Sequence, residues 1–341
     1  MRSDPSVRLR RPSLNGARAG RKAGERGATL LTVLLLVAIV AVMAGTALEK
    51  IRLSTRLTGN AVALDQARGL AFAAEALATG RITAQLRQSP DRVTLVGGWS
   101  GRPVPLPFAG GGAVARVSDG GNCFNLNSLV TRLDRQYVAD PTTMAQFARL
   151  TRLLGIPGGD AIAAAAADWI DTDDQTLANG AEDGDYGGLA TPYRTAGTLM
   201  ADPSELRAVS GVSTEAYRKL RPWICTLPEA RRAAINVNTL APEQAPLLAM
   251  VLPETASVEA ARALLLRRPM AGYDSAEAFW TAAALGDASD TAGRQQVAVT
   301  SRWFDLRVDV TVGSAELQER ALIDARTLPA RLVARQWGEA S

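Results

Sequence analysis

The N-terminal part of the chain contains an apolar run that predicts a membrane-spanning helix. No charged residue occurs between Ala28 and Leu48, and about 20 helical residues span the roughly 30 Å hydrocarbon core of a bilayer. The apolar region of a secretory signal peptide is shorter, about 7–15 residues, and precedes a small-residue cleavage site. Because the run is apolar on every side of a helix, it is typical of a retained membrane span.

The segment that follows predicts an amphipathic continuation of the same helix. Between Glu49 and Gln88 there is no proline, and apolar residues recur every three, four or seven positions. These positions are Leu57, Ala61, Leu64, Ala71, Ala74, Ala78, Ile82 and Leu86. We expect the helix to end before Pro90, because the residue before a proline disfavours the α conformation.

Beyond Pro90 the pattern predicts strands at both ends of the remaining chain. The runs RVTLVGGW and GGAVARVSDGGNCFNLNSLV predict a hairpin that turns at DGGN, and GGWSGRPVPLPFAGGG predicts a loop. From Gln295 onwards apolar and polar residues alternate, which predicts a second hairpin turning at VGSA and a last strand in ARLVARQW.

Between these strands, residues 128–285 consist mainly of short helical patterns separated by glycine and proline. The order of elements therefore predicts an α+β fold, in which a helical domain is inserted into an antiparallel sheet. We expect this sheet to cover the apolar side of the long helix.

The basic charge of the chain is concentrated at its N-terminus. The chain has 38 basic and 34 acidic residues, but residues 1–27 hold eight basic and two acidic ones, which leaves a net charge of −2 for the rest. By the positive-inside rule we expect a cytoplasmic N-terminus and a single-pass protein whose bulk lies beyond the inner membrane, in the periplasm.

The absence of histidine narrows the possible chemistry. With no histidine in the sequence, Ser-His-Asp and Cys-His nucleophile systems and histidine metal sites are excluded. Ser-Lys catalysis or a carboxylate pair stays possible, but an enzyme is not favoured.

An acidic segment, residues 171–185, is the densest group of carboxylates. Its oxygen-bearing side chains fall at positions 1, 3, 5, 9 and 12 of an EF-hand loop, namely Asp171, Asp173, Gln175, Asn179 and Glu182. Thr176 occupies the position where an EF-hand needs glycine. The residues alone leave a Ca²⁺ loop and a solvated acidic loop open, and a glycosidase carboxylate pair has no sugar-stacking aromatic cluster to support it.

The two cysteines, Cys123 and Cys225, lie about a hundred residues apart and form no CxxC pair. A zinc site between them is therefore excluded. In an oxidising periplasm we favour a disulfide that links the sheet to the helical insert, with two buried free thiols as the alternative.

The residues ERGATLLT at the start of the apolar run resemble a type IV prepilin processing site. This resemblance implies that prepilin peptidase cuts between Gly27 and Ala28 and removes residues 1–27. Thr32 then occupies mature position five, where most pilins and pseudopilins carry a glutamate that pairs with the N-terminal amine of the neighbouring subunit. Thr32 cannot form that charge pair, which leads to the hypothesis of a position at the tip of a filament.

Five ordered segments of the body resemble the type II secretion minor pseudopilin K family: CFNLNSLV, AADWIDTDD with GAEDGDY, PSELRAVSGVS, LRPWICTLP and INVNTLAPE. The resemblance implies a pilin-like fold with a large helical insertion, and a place at the pseudopilus tip with minor pseudopilins I and J above the major pseudopilin. It also implies Ca²⁺ in the acidic loop, with Asp171, Asp173, Glu182 and Asp183 as the expected ligands.

The resulting domain prediction has five parts. They are a leader (1–27), a transmembrane segment (28–48), a periplasmic helix with the first strands (49–127), the helical insert (128–290) and the C-terminal strands (291–341). One alternative stays open, because AVSGVSTEAYRKL and INVNTLAPEQAPLLAMVL resemble SAM-like or helix–hairpin–helix units that often bind DNA. A DNA-binding minor pilin of an uptake system is that alternative, and the net charge of −2 argues against it.

Overall fold

A helix of 68 residues, α1 (Arg21–Gln88), is the longest element of the computed structural model, which describes residues 21–284 and 291–338. The predicted end of this helix before Pro90 is confirmed. The chain divides into two units, Met1–Val62 and Ala63–Ser341. In the first unit the large apolar side chains of α1 are exposed, as Leu31 and Val42 are. The helix from Gly27 is long and apolar enough to cross a membrane, and an 18-residue window within it has a mean hydropathy of 2.6.

The second unit is built on an antiparallel sheet of five strands in the order β1-β2-β9-β10-β11. These strands are β1 (Val104–Phe108), β2 (Gly111–Asp119), β9 (Trp303–Val312), β10 (Ala315–Asp324) and β11 (Arg331–Trp337). The hairpin predicted at VGSA joins β9 to β10, and the predicted last strand is β11, so both predictions are confirmed.

The predicted first hairpin is wrong. Strand β1 lies in the stretch that was expected to be a loop, and the turn to β2 falls at Ala109 and Gly110 instead of at DGGN. Pro105 and Pro107 made the stretch resemble a loop. Because β1 pairs on one side only, these prolines are tolerated, since an edge strand needs no N–H groups on its outer side.

The apolar side of α1 packs against one face of this sheet. The helix buries mainly small residues here, at Ala67, Ala71, Ala74, Ala78, Ile82 and Leu86. They meet alternate residues of β9, from Phe304 to Val312, which are also buried. The intervening residues of β9, such as Asp305 and Arg307, therefore lie on the opposite face of the sheet. The sheet covers the helix as predicted.

The insert between β2 and β9 consists of two halves with the same plan. Each half opens with an Asn-x-Asn segment on a short strand, and a parallel bridge pairs that strand with the strand that closes the half. In the first half β3 (Phe124–Asn125) pairs with β6 (Ile224–Cys225), and in the second β7 (Ile235–Asn236) pairs with β8 (Val297–Ala298).

Short helices fill both halves and share one hydrophobic core. The first half contains β4 (Val130–Leu133), β5 (Gln136–Ala139), α2 (Pro141–Leu153), α3 (Gly159–Ile170), α4 (Asp183–Gly187), α5 (Thr214–Leu220) and the 3-10 helices Leu126–Leu129 and Pro203–Ala208. The second half contains the 3-10 helix Pro242–Gln244, α6 (Ala245–Val251), α7 (Val258–Leu266), α8 (Ala276–Ala283) and α9 (Thr291–Gln296).

The chain leaves the sheet at Asp119 and returns at Trp303. Asp119 pairs with Phe304 across the two strands, and the Gly120 amide donates to the Trp303 carbonyl at 2.9 Å. Residues 120–302 thus lie outside the five-stranded sheet, a longer stretch than the predicted insert of 128–290. The predicted bound at residue 290 falls outside the described residues.

Candidate functional site

The acidic segment lies between the end of α3 and the start of α4. Trp169, the last aromatic residue of α3, packs edge-on against Tyr186 of α4 at 5.5 Å between ring centroids. Tyr193 stacks on Tyr186 at 5.1 Å. The contact between Trp169 and Tyr186 joins the two helices on either side of the acidic segment.

Asp168 on α3 organises the loop from within. Its carboxylate accepts hydrogen bonds from the amides of Leu177 at 3.2 Å and Ala181 at 2.8 Å. A Cβ added to Gly180 would stand 1.9 Å from the same carboxylate oxygen, so the loop requires glycine there. Burial, opposed by these hydrogen bonds, raises the pKa of Asp168 to about 6.

Two of the predicted ligands, Asp171 and Glu182, are buried together next to Asp168. Each has one carboxylate oxygen without a hydrogen-bond partner, Oδ1 of Asp171 and Oε1 of Glu182. Burial and then the charges of Asp173 and Asp168 raise the pKa of Asp171 to about 7. Burial also raises the pKa of Glu182, with Asp168 and Asp183 adding to the shift.

The other two predicted ligands, Asp173 and Asp183, are placed differently. Asp173 is exposed, and its Oδ1 accepts from the Gln175 amide at 2.9 Å. Asp183 Oδ1 accepts from the amide and the hydroxyl of Thr195 at 2.9 and 3.0 Å. Within residues 21–284 and 291–338, no three carboxylates are already grouped closely enough to hold a metal ion.

The residues of the loop nevertheless fit a hard cation. Buried carboxylate oxygens without partners cost free energy unless a donor or a cation satisfies them. Asp171 and Glu182 present two such oxygens and repel each other. Carboxylates and carbonyls are the ligands that Ca²⁺ prefers.

A disulfide joins Cys123 to Cys225, with 5.8 Å between their Cα atoms. The predicted bridge is present, but the expectation that it links the sheet to the insert is wrong, because both cysteines lie within residues 120–302. Cys123 precedes β3 and Cys225 ends β6, so the bridge reinforces the short parallel pairing that closes the first half of the insert. Leu227 and Trp303 pack around it, and Trp303 begins the returning strand β9.

Buried asparagines hold each half of the insert together, a role that the sequence reasoning missed. Asn127 donates to the carbonyls of Met200 and Leu227, both at 2.9 Å, and accepts from the Met200 amide at 2.7 Å. Asn238 makes the matching pair of bonds in the second half, to the carbonyl and the amide of Tyr273. The repeated Asn-x-Asn spacing was the signal that could have revealed them.

The predicted processing and assembly residues, Gly27, Ala28 and Thr32, lie inside α1. The Thr32 hydroxyl donates to the Thr29 carbonyl at 2.9 Å, and its side chain is exposed. The Thr32 hydroxyl therefore has its hydrogen-bond acceptor within the same helix, as is common for threonine. The predicted cleavage at Gly27 stays a prediction.

Two family models match the insert. Both describe type II secretion system protein K, and they match residues 122–229 and 235–300. These are the two halves that open with the Asn-x-Asn segments.

Curated relatives cover most of the chain. Type II secretion system protein K of Pectobacterium carotovorum subsp. carotovorum is 34% identical over 318 residues, covering 92% of this chain and 97% of the relative. The protein of the same name from Klebsiella pneumoniae is 33% identical over 316 residues, with the same coverage of 92% and 97%.

A solved structure shares the fold. It is a chain of the GspK-GspI-GspJ complex from the type 2 secretion system of enterotoxigenic Escherichia coli, with a TM-score of 0.71 and 31% identity. The match covers 81% of this chain and 97% of that chain.

The apolar N-terminal helix, the antiparallel sheet and the helical insert define a pilin-like subunit, a minor pseudopilin of a type II secretion system. Within that class, the chain belongs to the type II secretion system protein K family. Proteins of this family are structural components of the secretion apparatus. The alternative, a DNA-binding minor pilin, is not favoured by these similarities.

Proposed function

We propose that this minor pseudopilin occupies the tip of the periplasmic pseudopilus, where it joins minor pseudopilins of the I and J types and supports the export of folded proteins. The observation that carries the proposal is the likeness to a chain solved in a GspK-GspI-GspJ complex, which extends over 81% of this chain. The chain acts there as a structural subunit and not as an enzyme.

Features of α1 support the tip position. Prepilin peptidase cuts after Gly27, leaving Ala28 as the first mature residue, and the basic leader keeps this end in the cytoplasm. Thr32 has no carboxylate to offer to the amine of a neighbouring subunit. A subunit that lacks this contact has no need of a subunit above it, and the major pseudopilin continues the filament below.

The acidic loop is proposed to bind Ca²⁺ as a structural ion. Asp171 and Glu182 would hold it through their unpartnered oxygens, with Asp173 and Asp183 from the two ends of the loop. The ion would neutralise carboxylates that otherwise repel each other, and Asp168 would keep the loop backbone in position. Binding requires the four ligand side chains to move closer together.

Co-expression tests the proposed assembly. We expect the full chain to co-purify in detergent with the I-type and J-type minor pseudopilins encoded beside it, and to do so in equal amounts. A Thr32→Glu variant should still form this complex, because the contact that Glu would make is absent at the tip. Failure of the wild-type chain to co-purify with either partner would contradict the proposal.

A further inference from the structure

A cleft of about 770 Å³ lies between the first half of the insert and the face of the sheet that α1 leaves uncovered. This volume falls in the range of about 300–1,000 Å³ that is typical of binding pockets. Six arginines and three aspartates line the cleft, and no lysine or glutamate does. The positive charges of the cleft lining are therefore all guanidinium groups.

On the face of the sheet that borders the cleft, three arginines lie side by side, and two of them, Arg307 and Arg320, line the cleft. Arg307 on β9 is directly opposite Arg116 on β2 and directly opposite Arg320 on β10. Like charges in directly opposite positions destabilise a sheet. The positive charges of this row therefore need to be neutralised, either by carboxylates of the protein or by a bound ligand.

Carboxylates of β9 neutralise the two outer arginines. Arg116 pairs with Asp309 at 2.5 Å, and Arg320 pairs with Asp305 at 3.1 Å. Arg307, between them, is exposed and forms no ion pair with any residue that the structure describes. The sheet thus presents one uncompensated guanidinium to the cleft.

The insert contributes two more arginines without an ion pair to the cleft. Arg218 on α5 and Arg207 on the 3-10 helix Pro203–Ala208 are exposed, and neither forms an ion pair within the described chain. The Arg207 guanidinium lies 5.8 Å from the centre of the Tyr217 ring. Arginines on two walls of one cleft therefore face a common space.

Among the residues that the structure describes, no aspartate of the cleft forms an ion pair with Arg307, Arg218 or Arg207, and the aspartate oxygens have other partners. Asp119 accepts from the hydroxyls of Ser301 and Thr239. Asp202 accepts from the Ser204 amide and from the Gln336 side chain, and Asp305 accepts from Arg320.

We propose that this cleft is the docking site for an acidic segment of a partner protein, whose carboxylates bind Arg307 on one wall and Arg218 and Arg207 on the other. Guanidinium groups match carboxylates in two-point geometry. Tyr217 and Leu322 give the cleft an apolar surface that suits a polypeptide. The net charge of −2 outside residues 1–27 disfavours a continuous polyanion such as nucleic acid. The proposal does not depend on the tip position of the subunit.

The test measures binding of a ten-residue peptide of alternating Glu and Ala, labelled with a neutral dye, to the full chain in detergent. Fluorescence anisotropy at low and high salt should show binding that weakens as salt screens the charges. We expect Arg307→Gln and Arg218→Gln each to weaken binding about tenfold, the loss of one charge-assisted hydrogen bond. Arg302→Gln, an exposed arginine of the same region outside the cleft, should leave it unchanged.

A peptide in which Gln replaces Glu controls for charge, and single-stranded DNA of ten nucleotides controls for the class of ligand. The proposal is overturned if the acidic peptide does not bind, if the cleft variants bind it as well as wild type, or if DNA binds more tightly. Arg307→Gln should fold at least as stably as wild type, because it removes a cation from between two others. Thermal melting of each variant verifies that weaker binding is not loss of fold.

Discussion

Arg335 on the last strand donates to both carboxylate oxygens of Glu75 on α1, at 2.5 and 2.7 Å. Beside this pair, Glu319 of β10 is fully buried, and its Oε1 lies 3.4 Å from Arg335 Nε. The Arg335 guanidinium therefore lies close to two carboxylates, those of Glu75 and Glu319. Burial, and then the hydrogen bond and charge of Glu75, raise the pKa of Glu319 to about 8. Although burial acts in the opposite direction, the hydrogen bond from Arg335 lowers the pKa of Glu75.

This arrangement predicts that the free energy of unfolding falls as pH rises towards 8. An unfolded glutamate titrates near 4.5, so between that pH and about 8 the folded state holds one more proton than the unfolded state. The stabilisation that comes from the Glu319 proton is complete below pH 4.5 and lost above about pH 8. Between these values the free energy of unfolding falls by up to about 1.4 kcal/mol per pH unit. Glu319→Gln should remove this slope and be more stable than wild type at about pH 9.

Urea denaturation at several pH values, from about 5 to 9, measures the effect. Glu316→Gln is the matched control, because Glu316 is exposed on the same strand. Equal pH dependence in wild type and Glu319→Gln would show that Glu319 titrates normally.

Reduction of the disulfide should destabilise the insert. The bridge closes a loop of 102 residues, for which the chain-entropy model gives a stabilisation of up to about 4.7 kcal/mol. We expect dithiothreitol, or a Cys123→Ser and Cys225→Ser double variant, to lower the midpoint of thermal unfolding. Thiol titration of the denatured, unreduced chain should find no free thiol, and the double variant should be insensitive to the reductant.

Asn127→Ala should be among the most destabilising single substitutions in the insert. It would leave the carbonyls of Met200 and Leu227 and the Met200 amide without partners, at about 1–3 kcal/mol for each buried group. Asn127→Asp, which has the same shape, should also destabilise because a carboxylate cannot donate to the two carbonyls. Chemical denaturation checks both variants. Retention of wild-type stability by Asn127→Asp would mean that packing, and not hydrogen bonding, is what matters there.

Calcium should stabilise the folded chain if the acidic loop binds it. A ligand present at a hundred times its dissociation constant adds about 2.7 kcal/mol to the free energy of unfolding. We therefore expect EDTA to lower the melting temperature and excess Ca²⁺ to restore it. Asp171→Asn and Glu182→Gln should abolish this response, and Asp91→Asn, at an exposed site in another part of the chain, should preserve it. Elemental analysis that finds no calcium in protein purified without chelator would contradict the prediction.

The sequence predicted the elements whose signal is local. The end of α1 before Pro90 and the hairpin between β9 and β10 follow from periodicity and turn residues. Strand β1 was missed because Pro105 and Pro107 are unfavourable in most strands, and only its edge position makes them acceptable.

Residues of the candidate sites were predictable only in part. Asp171 and Glu182 stood out because carboxylates are dense in that segment, whereas Asp168 did not, since its role depends on a loop that folds back over it at Gly180. The arginine row was not predicted, because Arg116, Arg307 and Arg320 come from strands that are adjacent only in the folded sheet.

The insert is connected covalently to the sheet at one place, between Asp119 and Trp303, while contacts such as that of Asp202 with Gln336 hold it against the sheet. Strands β2 and β9 pair like the two arms of an ordinary hairpin, and residues 120–302 replace its turn. An insertion with one stem can grow, shrink or be exchanged without shifting any strand register around it. A short turn from Asp119 to Trp303 should therefore leave a minimal helix-and-sheet domain, and the insert could in turn be grafted onto another hairpin.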